Sequence, residues 1–223
     1  MSEIGLFVPC YMDELWPQAA IAATRLLEAL GHRVVIRNPV CCGQVLSNSG
    51  DEAGAKAVSQ LWAREHADLD LVLILSASCT GFLQRECSSP PIREFCAWME
   101  EFGPERYPRP LPRRFAYHAS CSSQRETQTA AATRSLLGRI EGLQLQEAAP
   151  RDECCGFGGS FATKHPQLSV RMGQDRLACL LQGKELDGVV SADLSCLLHL
   201  RGIAAPELRM CHVAELLWEA CDG

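Results

Sequence analysis

The chain has 223 residues, 47% of them hydrophobic and 22% charged, and a formal net charge of -6. That length allows one domain or two of roughly 100 residues, and this balance describes a chain that folds around a core rather than a disordered one. The acidic surplus and the lack of a Lys/Arg run argue against nucleic-acid binding, and no apolar stretch reaches the ~18 residues of a membrane span.

The opening segment, MSEIGLFVPC, has neither the basic start nor the long apolar run of an export signal. A cytoplasmic protein without direct membrane insertion is expected. Its 13 cysteines are then the anomaly. In a reducing compartment such richness points to metal or redox chemistry, not to a disulfide frame.

In chain order, IGLFVP is a short apolar run that predicts a buried strand ending at Cys10. Residues 17–30 (PQAAIAATRLLEAL) have helical spacing, with a proline in the first turn and Gly31 as a stop. HRVVIRN predicts a second strand before PVCCGQ, and residues 51–66 a second helix behind the turn Asn48-Ser49-Gly50. DLVLILSAS predicts a third strand ending at Cys79, and residues 92–101 an extra helix.

A proline-rich stretch, FGPERYPRPLPRR, follows as a linker, and then the order repeats. RFAYHAS predicts a strand ending at Cys121, residues 127–140 a helix, and LQLQEA a strand before Cys154 and Cys155. Residues 169–182 predict a helix stopped by Gly183, DGVVSAD a strand leading to Cys196, and VAELLWEAC a closing helix.

The cysteines keep step with this repeat. Cys10, Cys41-Cys42-Gly43 and Cys79 in the first half correspond to Cys121, Cys154-Cys155-Gly156 and Cys196 in the second. The single cysteine leads its pair by 31 positions in one half and 33 in the other. Strands alternating with helices imply parallel βαβ units. The expected fold is α/β: two pseudo-repeated lobes, each a small parallel doubly wound sheet with flanking helices. The lobes are expected at 1–103 and 115–223, joined by the linker 104–114. Sites in such sheets form beyond the carboxyl ends of the strands, which would gather four thiols over one edge of each lobe.

Adjacent cysteines sit ~3.8 Å apart at Cα, below the usual ~4.4–6.8 Å of a disulfide. Two neighbouring thiolates suit a metal centre, and the glycine beside them lets backbone approach closely. Four thiolates fit an iron–sulfur cluster and also a structural zinc. Zinc sites usually use short C-x2-4-C knuckles, which this sequence lacks. Wide spacing with a vicinal pair suits the larger cluster better. The loop Gly156-Phe157-Gly158-Gly159 reads as a source of backbone N–H groups for cluster sulfurs.

His118, three residues before Cys121, is a candidate donor to a cluster sulfur, against the plainer reading of a satisfied strand histidine. Asp193 reads as a helix cap, His212 as the cap of the last helix and His32 as a surface residue. Cys96 and Cys179 read as core residues, Cys87 as a small hydrophobe with a spare ligand as its lesser alternative, and Cys221 as exposed.

PCYMD (9–13), CCGQ, SCTGF around Cys79, YHASC (117–121), CCGFGGSFATK (154–164), DLSCLLH (193–199) and HVAELL (212–217) occur in this order. On these motifs the chain resembles the CCG-domain (cysteine-rich domain) proteins and, more nearly, the lactate utilization protein A family, over almost its whole length. The resemblance implies a cytoplasmic iron–sulfur subunit with one or two clusters, of 4Fe-4S type. It would act with two further subunits, one carrying ferredoxin-type clusters, to oxidise L-lactate. Related CCG subunits serve glycolate oxidase and heterodisulfide reductase. The ligand sets would be Cys10, Cys41, Cys42 and Cys79, and Cys121, Cys154, Cys155 and Cys196.

The heterodisulfide reductase type adds a final CxxC. Here Cys79 is followed by Thr80-Gly81-Phe82 and Cys196 by Leu197-Leu198-His199. No ferredoxin run and no GxGxxG fingerprint is present, so relay cubanes would sit on a partner and no bound nucleotide is implied.

Overall fold

The computed structural model describes residues 3–38, 40–148, 150 and 152–221; Pro39, which opens PVCCGQ, lies outside them. The first lobe has strands β1 (Glu3–Phe7), β2 (Arg33–Val35), β3 (Val72–Ile74) and β4 (Ile92–Glu94). Its helices are α1 (Cys10–Leu15), α2 (Pro17–Ala29), α3 (Gln44–Ser47), α4 (Glu52–Glu65), α5 (Ala77–Glu86) and α6 (Phe95–Phe102). The second lobe has β5 (Arg114–Tyr117), β6 (Gln144–Glu147), β7 (Gly188–Ser191) and β8 (Arg209–His212). Its helices are α7 (Cys121–Arg125), α8 (Ala130–Leu137), α9 (Ser160–Lys164), α10 (Pro166–Leu181), α11 (Leu194–Arg201) and α12 (Val213–Glu219).

Each lobe is a four-stranded parallel sheet, ordered β2-β1-β3-β4 and β6-β5-β7-β8. The central strands pair in register, Gly5 opposite Val72 and Phe115 opposite Gly188. Both β3 and β7 are buried along their length, as expected for parallel strands covered on both faces.

The two-lobed parallel α/β reading holds, with two local corrections. Each lobe has a fourth strand: β4 lies where the extra helix was expected to start, and β8 is new. Both are edge strands of three or four residues, too short for a readable alternation. The strands also end earlier than expected. β3 stops at Ile74, and Ser76 caps a new helix by accepting the N–H of Cys79 at 3.4 Å. Cys79 and Cys196 therefore sit in the first turns of α5 and α11, and Cys10 and Cys121 open α1 and α7.

The lobes meet with exchanged partners. α2 of the first packs on α12 of the second, and the equivalent helices α6 and α8 pack on each other. One apolar core runs through both lobes and includes Leu27, Phe95, Leu136 and Leu217. The linker joins it through Tyr107 and Leu111. A smaller cluster around Phe7, Trp62 and Phe82 lies within the first lobe. Among the described residues no helix is long and apolar enough to cross a membrane.

Candidate metal centre

The CCG triplets follow β2 and β6, and their glycines explain the motif. Gly43 has φ +100 and caps α3 at its start. A Cβ there would lie 2.7 Å from the carbonyl oxygen of Ala55 in α4. Gly156 has φ +88, and its Cβ would lie 2.6 Å from the Ser169 oxygen in α10. Only glycine combines this φ with so close an approach. Pressed against these helices, each loop turns its glycine N–H back to the first thiol of the pair: Gly43 to Cys41 Sγ and Gly156 to Cys154 Sγ, both 3.4 Å.

All eight predicted cysteines line one cavity of about 580 Å³ between the lobes. In the first lobe, Cys41 takes hydrogen bonds from the Cys10 and Cys42 thiols, and Cys42 lies 3.4 Å from Cys79. The second lobe repeats the chain Cys121–Cys154–Cys155–Cys196. These donors push the Cys41 and Cys154 thiols far down. The neighbouring thiol and burial push Cys10, Cys42, Cys121 and Cys155 up. In each set the leading cysteine of the pair is thus the thiol most easily deprotonated. α5 and α11 also point their N-termini at the cavity, where negative charge is favoured.

Gly158 and Gly159 line the same cavity. Ser160 Oγ donates to the Asn48 carbonyl at 3.2 Å, so the two CCG loops touch across the lobes. Glu126, also in the wall, pairs with Arg85 of the other lobe at 2.7 Å.

Asp193 is not the helix cap expected of it. It occupies the N-cap position of α11 without a capping bond. Its buried carboxylate instead accepts from Ser76 Oγ at 2.6 Å, Ser78 N–H at 3.3 Å and Ser120 Oγ, joining the caps of α5 and α7 across the lobes.

His118 is buried and is not a satisfied strand histidine: Nδ1 accepts the Arg176 Nε–H at 3.0 Å, but Nε2 has no hydrogen-bond partner among the described residues. Burial, with the nearby Arg176 charge, lowers its pKa to about 3, so the ring is neutral. Arg176 was not anticipated, although the sequence held a signal. It follows Ser169 and Gly173 on the buried face of α10, where a charge needs a partner.

The other candidates fall elsewhere. His212 caps α12 in a capping box, with Nε2 at the Ala192 carbonyl. His32 packs edge-on against Trp98 rather than lying free on the surface. Cys87 donates to the Ser59 carbonyl at 3.4 Å and is not part of the cavity wall. Cys96 and Cys211 are buried, Cys179 is half-buried, and Cys221 is half-buried rather than exposed.

Among the described residues, one group brings three potential ligand atoms within 4.8 Å of one another: His118, Cys155 and Cys196. Neither four-thiol set closes to that span. Tetrahedral zinc with ~2.3 Å bonds needs all four sulfurs that close; a multi-iron cluster holds its thiolates farther apart. The donor set, the glycine N–H groups and the orphaned His118 Nε2 all fit such a cluster.

Fold and site define a class: paired parallel α/β lobes, each bringing a Cys…CCG…Cys set to a shared cavity. Residues 4–84 and 115–201 match the CCG cysteine-rich domain. The chain is 30% identical to lactate utilization protein A of an Exiguobacterium species, covering 98% of each chain. It is also 30% identical to that of Geobacillus kaustophilus, covering 96% of this chain and 98% of the relative, and 27% to that of Bacillus subtilis, with the same coverage. The chain belongs to the CCG cysteine-rich domain family and, within it, to the family of lactate utilization protein A. A hypothetical protein from Helicobacter pylori shares the fold with a TM-score of 0.64 at 12% identity, over 99% of this chain and 49% of that one.

Proposed function

We propose that the chain is a cytoplasmic electron-transfer subunit of an L-lactate-oxidising system. Cys121, Cys154, Cys155 and Cys196 hold one iron–sulfur cluster, of 4Fe-4S type, and Cys10, Cys41, Cys42 and Cys79 a second. The reading is carried by one observation: all eight thiols face a single inter-lobe cavity in two matching sets. When bound, such a group supplies reversible one-electron transfer.

The protein's own part is to bind and tune. Ligands must be deprotonated to bind metal, and Cys41 and Cys154 are the thiols readiest to lose a proton. Gly43 and Gly156 direct N–H groups at those sulfurs. Lactate is handled by two partner subunits, one carrying ferredoxin-type clusters, which also decide between lactate and other 2-hydroxy acids such as glycolate.

The test is iron, acid-labile sulfide and zinc per chain after purification without oxygen, with the visible spectrum. About eight irons and eight sulfides are expected, from two four-iron clusters; about four would mean that one lobe is loaded. Zinc without sulfide refutes the reading.

The shared cavity favours one second reading. A volume of about 580 Å³ open to both thiol sets admits a small disulfide, as a thiol–disulfide redox enzyme would need. Turnover of a disulfide by the isolated chain would support it.

A further inference from the structure

We infer that the two thiol sets are electronically unequal: His118 and Arg176 give the second-lobe set the higher reduction potential. This rests on the iron–sulfur reading proposed above.

The lobes are near copies, so their differences are informative. His118 stands three residues before Cys121, and Phe7 stands three before Cys10. α10 and α4 are the equivalent helices behind the two CCG loops. In the second lobe, Arg176 of α10 donates Nε–H to His118 Nδ1 at 3.0 Å and is itself held by the Pro150 carbonyl at 2.9 Å. In the first lobe, Trp62 of α4 meets the Phe7 ring edge-on at 5.6 Å. One pair carries a cation hydrogen-bonded to a polar ring; the other is aromatic, with His66 stacked on Trp62 at 4.3 Å and its Nδ1 at the Trp62 carbonyl. Trp62 Nε1 is also buried without a partner among the described residues, but it brings no charge.

Arginine stays protonated, so His118 Nδ1 is the acceptor and the imidazole proton sits on Nε2. A neutral ring with that proton in place donates and does not ligate. Nε2 is the orphaned atom, and His118 offers a nitrogen within 4.8 Å of the Cys155 and Cys196 sulfurs. A donor and a buried cation beside sulfur favour the added negative charge of reduction.

The electrostatics agree. Arg176 and the sulfurs of Cys155 and Cys196 feel each other's charge, with Glu153 offsetting part of it. The shifts of Cys10, Cys41 and Cys42 are set by neighbouring thiols, burial and backbone N–H groups. Asp193 bonds Ser76 of the first lobe and Ser120 of the second; its charge also reaches the Cys121 sulfur, where it opposes the effect of Arg176 without touching the His118 contact.

The experiment is a dye-mediated redox titration of the full-length chain under anaerobic conditions. It is followed by electron paramagnetic resonance and visible absorption, with iron and sulfide measured on each sample. Two reduction steps are expected, and Cys155→Ser should remove the one at higher potential. His118→Leu should weaken that step about tenfold, a fall of ~59 mV for a one-electron couple, at unchanged iron and with the other step unmoved. His118→Gln keeps a donor and should hold the step nearer the wild-type value. Should His118→Leu lose iron, Arg176→Met decides, since it keeps the imidazole and removes the cation. The inference is overturned by a single step, by loss of the lower step in Cys155→Ser, or by a step that stays put in His118→Leu or in the deciding Arg176→Met. A wild-type chain with zinc and no sulfide would instead remove the iron–sulfur reading beneath it.

Discussion

Replacing Gly43 by alanine tests why glycine follows the cysteine pair. Two costs add. Holding alanine at φ +100 costs about 1–2 kcal/mol. The new Cβ, 2.7 Å from the Ala55 carbonyl and 3.3 Å from the Phe82 ring, forces the loop off α4 at a further ~1–3 kcal/mol. Gly50 supplies the control: its φ is +88 but nothing lies within 4 Å of its Cβ, so Gly50→Ala carries the conformational cost alone. Thermal unfolding of the metal-free protein should place Gly43→Ala below Gly50→Ala by the second cost, roughly 2–4 °C per kcal/mol at this chain length. Displacing the loop also moves the Gly43 N–H away from Cys41, so iron retention in Gly43→Ala should fall while Gly50→Ala keeps it. Equal melting temperatures, or full iron in both variants, would refute the close-approach argument.

Two further outcomes follow from the buried polar groups. Burial raises the Glu94 carboxyl from 4.5 to about 7, so between those values the folded protein holds a proton that the unfolded chain has lost. Stability contributed by Glu94 is therefore complete below pH 4.5 and is lost as pH rises to about 7, by about 3 kcal/mol. Urea titrations should show this loss in the wild type relative to Glu94→Gln, and parallel profiles would refute it. Asp193→Ala takes the carboxylate acceptor from the buried hydroxyls of Ser76 and Ser120 and the half-buried N–H of Ser78, at ~1 kcal/mol or more each. A loss of at least ~3 kcal/mol in urea denaturation is expected, with Asp193→Asn milder; a loss below ~1 kcal/mol would mean the lobes do not depend on this bridge.

The sequence by itself determined the class of fold and which eight cysteines recur as two matching sets. Both are local signals: apolar runs and helical spacing mark alternating strands and helices, and the CCG triplets with their flanking cysteines recur in the same order. It did not disclose β4 and β8, whose pairing is earned against a neighbouring strand rather than in their own few residues. Nor did it show that the two thiol sets share a cavity. That depends on α2 docking against α12, segments nearly 200 positions apart in the chain.

Asp193 shows the limit most clearly. Its position before Leu194-Ser195-Cys196 reads as a cap, yet its acceptors' worth is claimed by serines of both lobes. The arginine beside His118 was legible only as a charge on a buried helix face, because its partner lies on another element. Chemistry written in neighbouring residues survives in the sequence; hydrogen bonds between distant elements exist only once the lobes have closed and water has been excluded from between them.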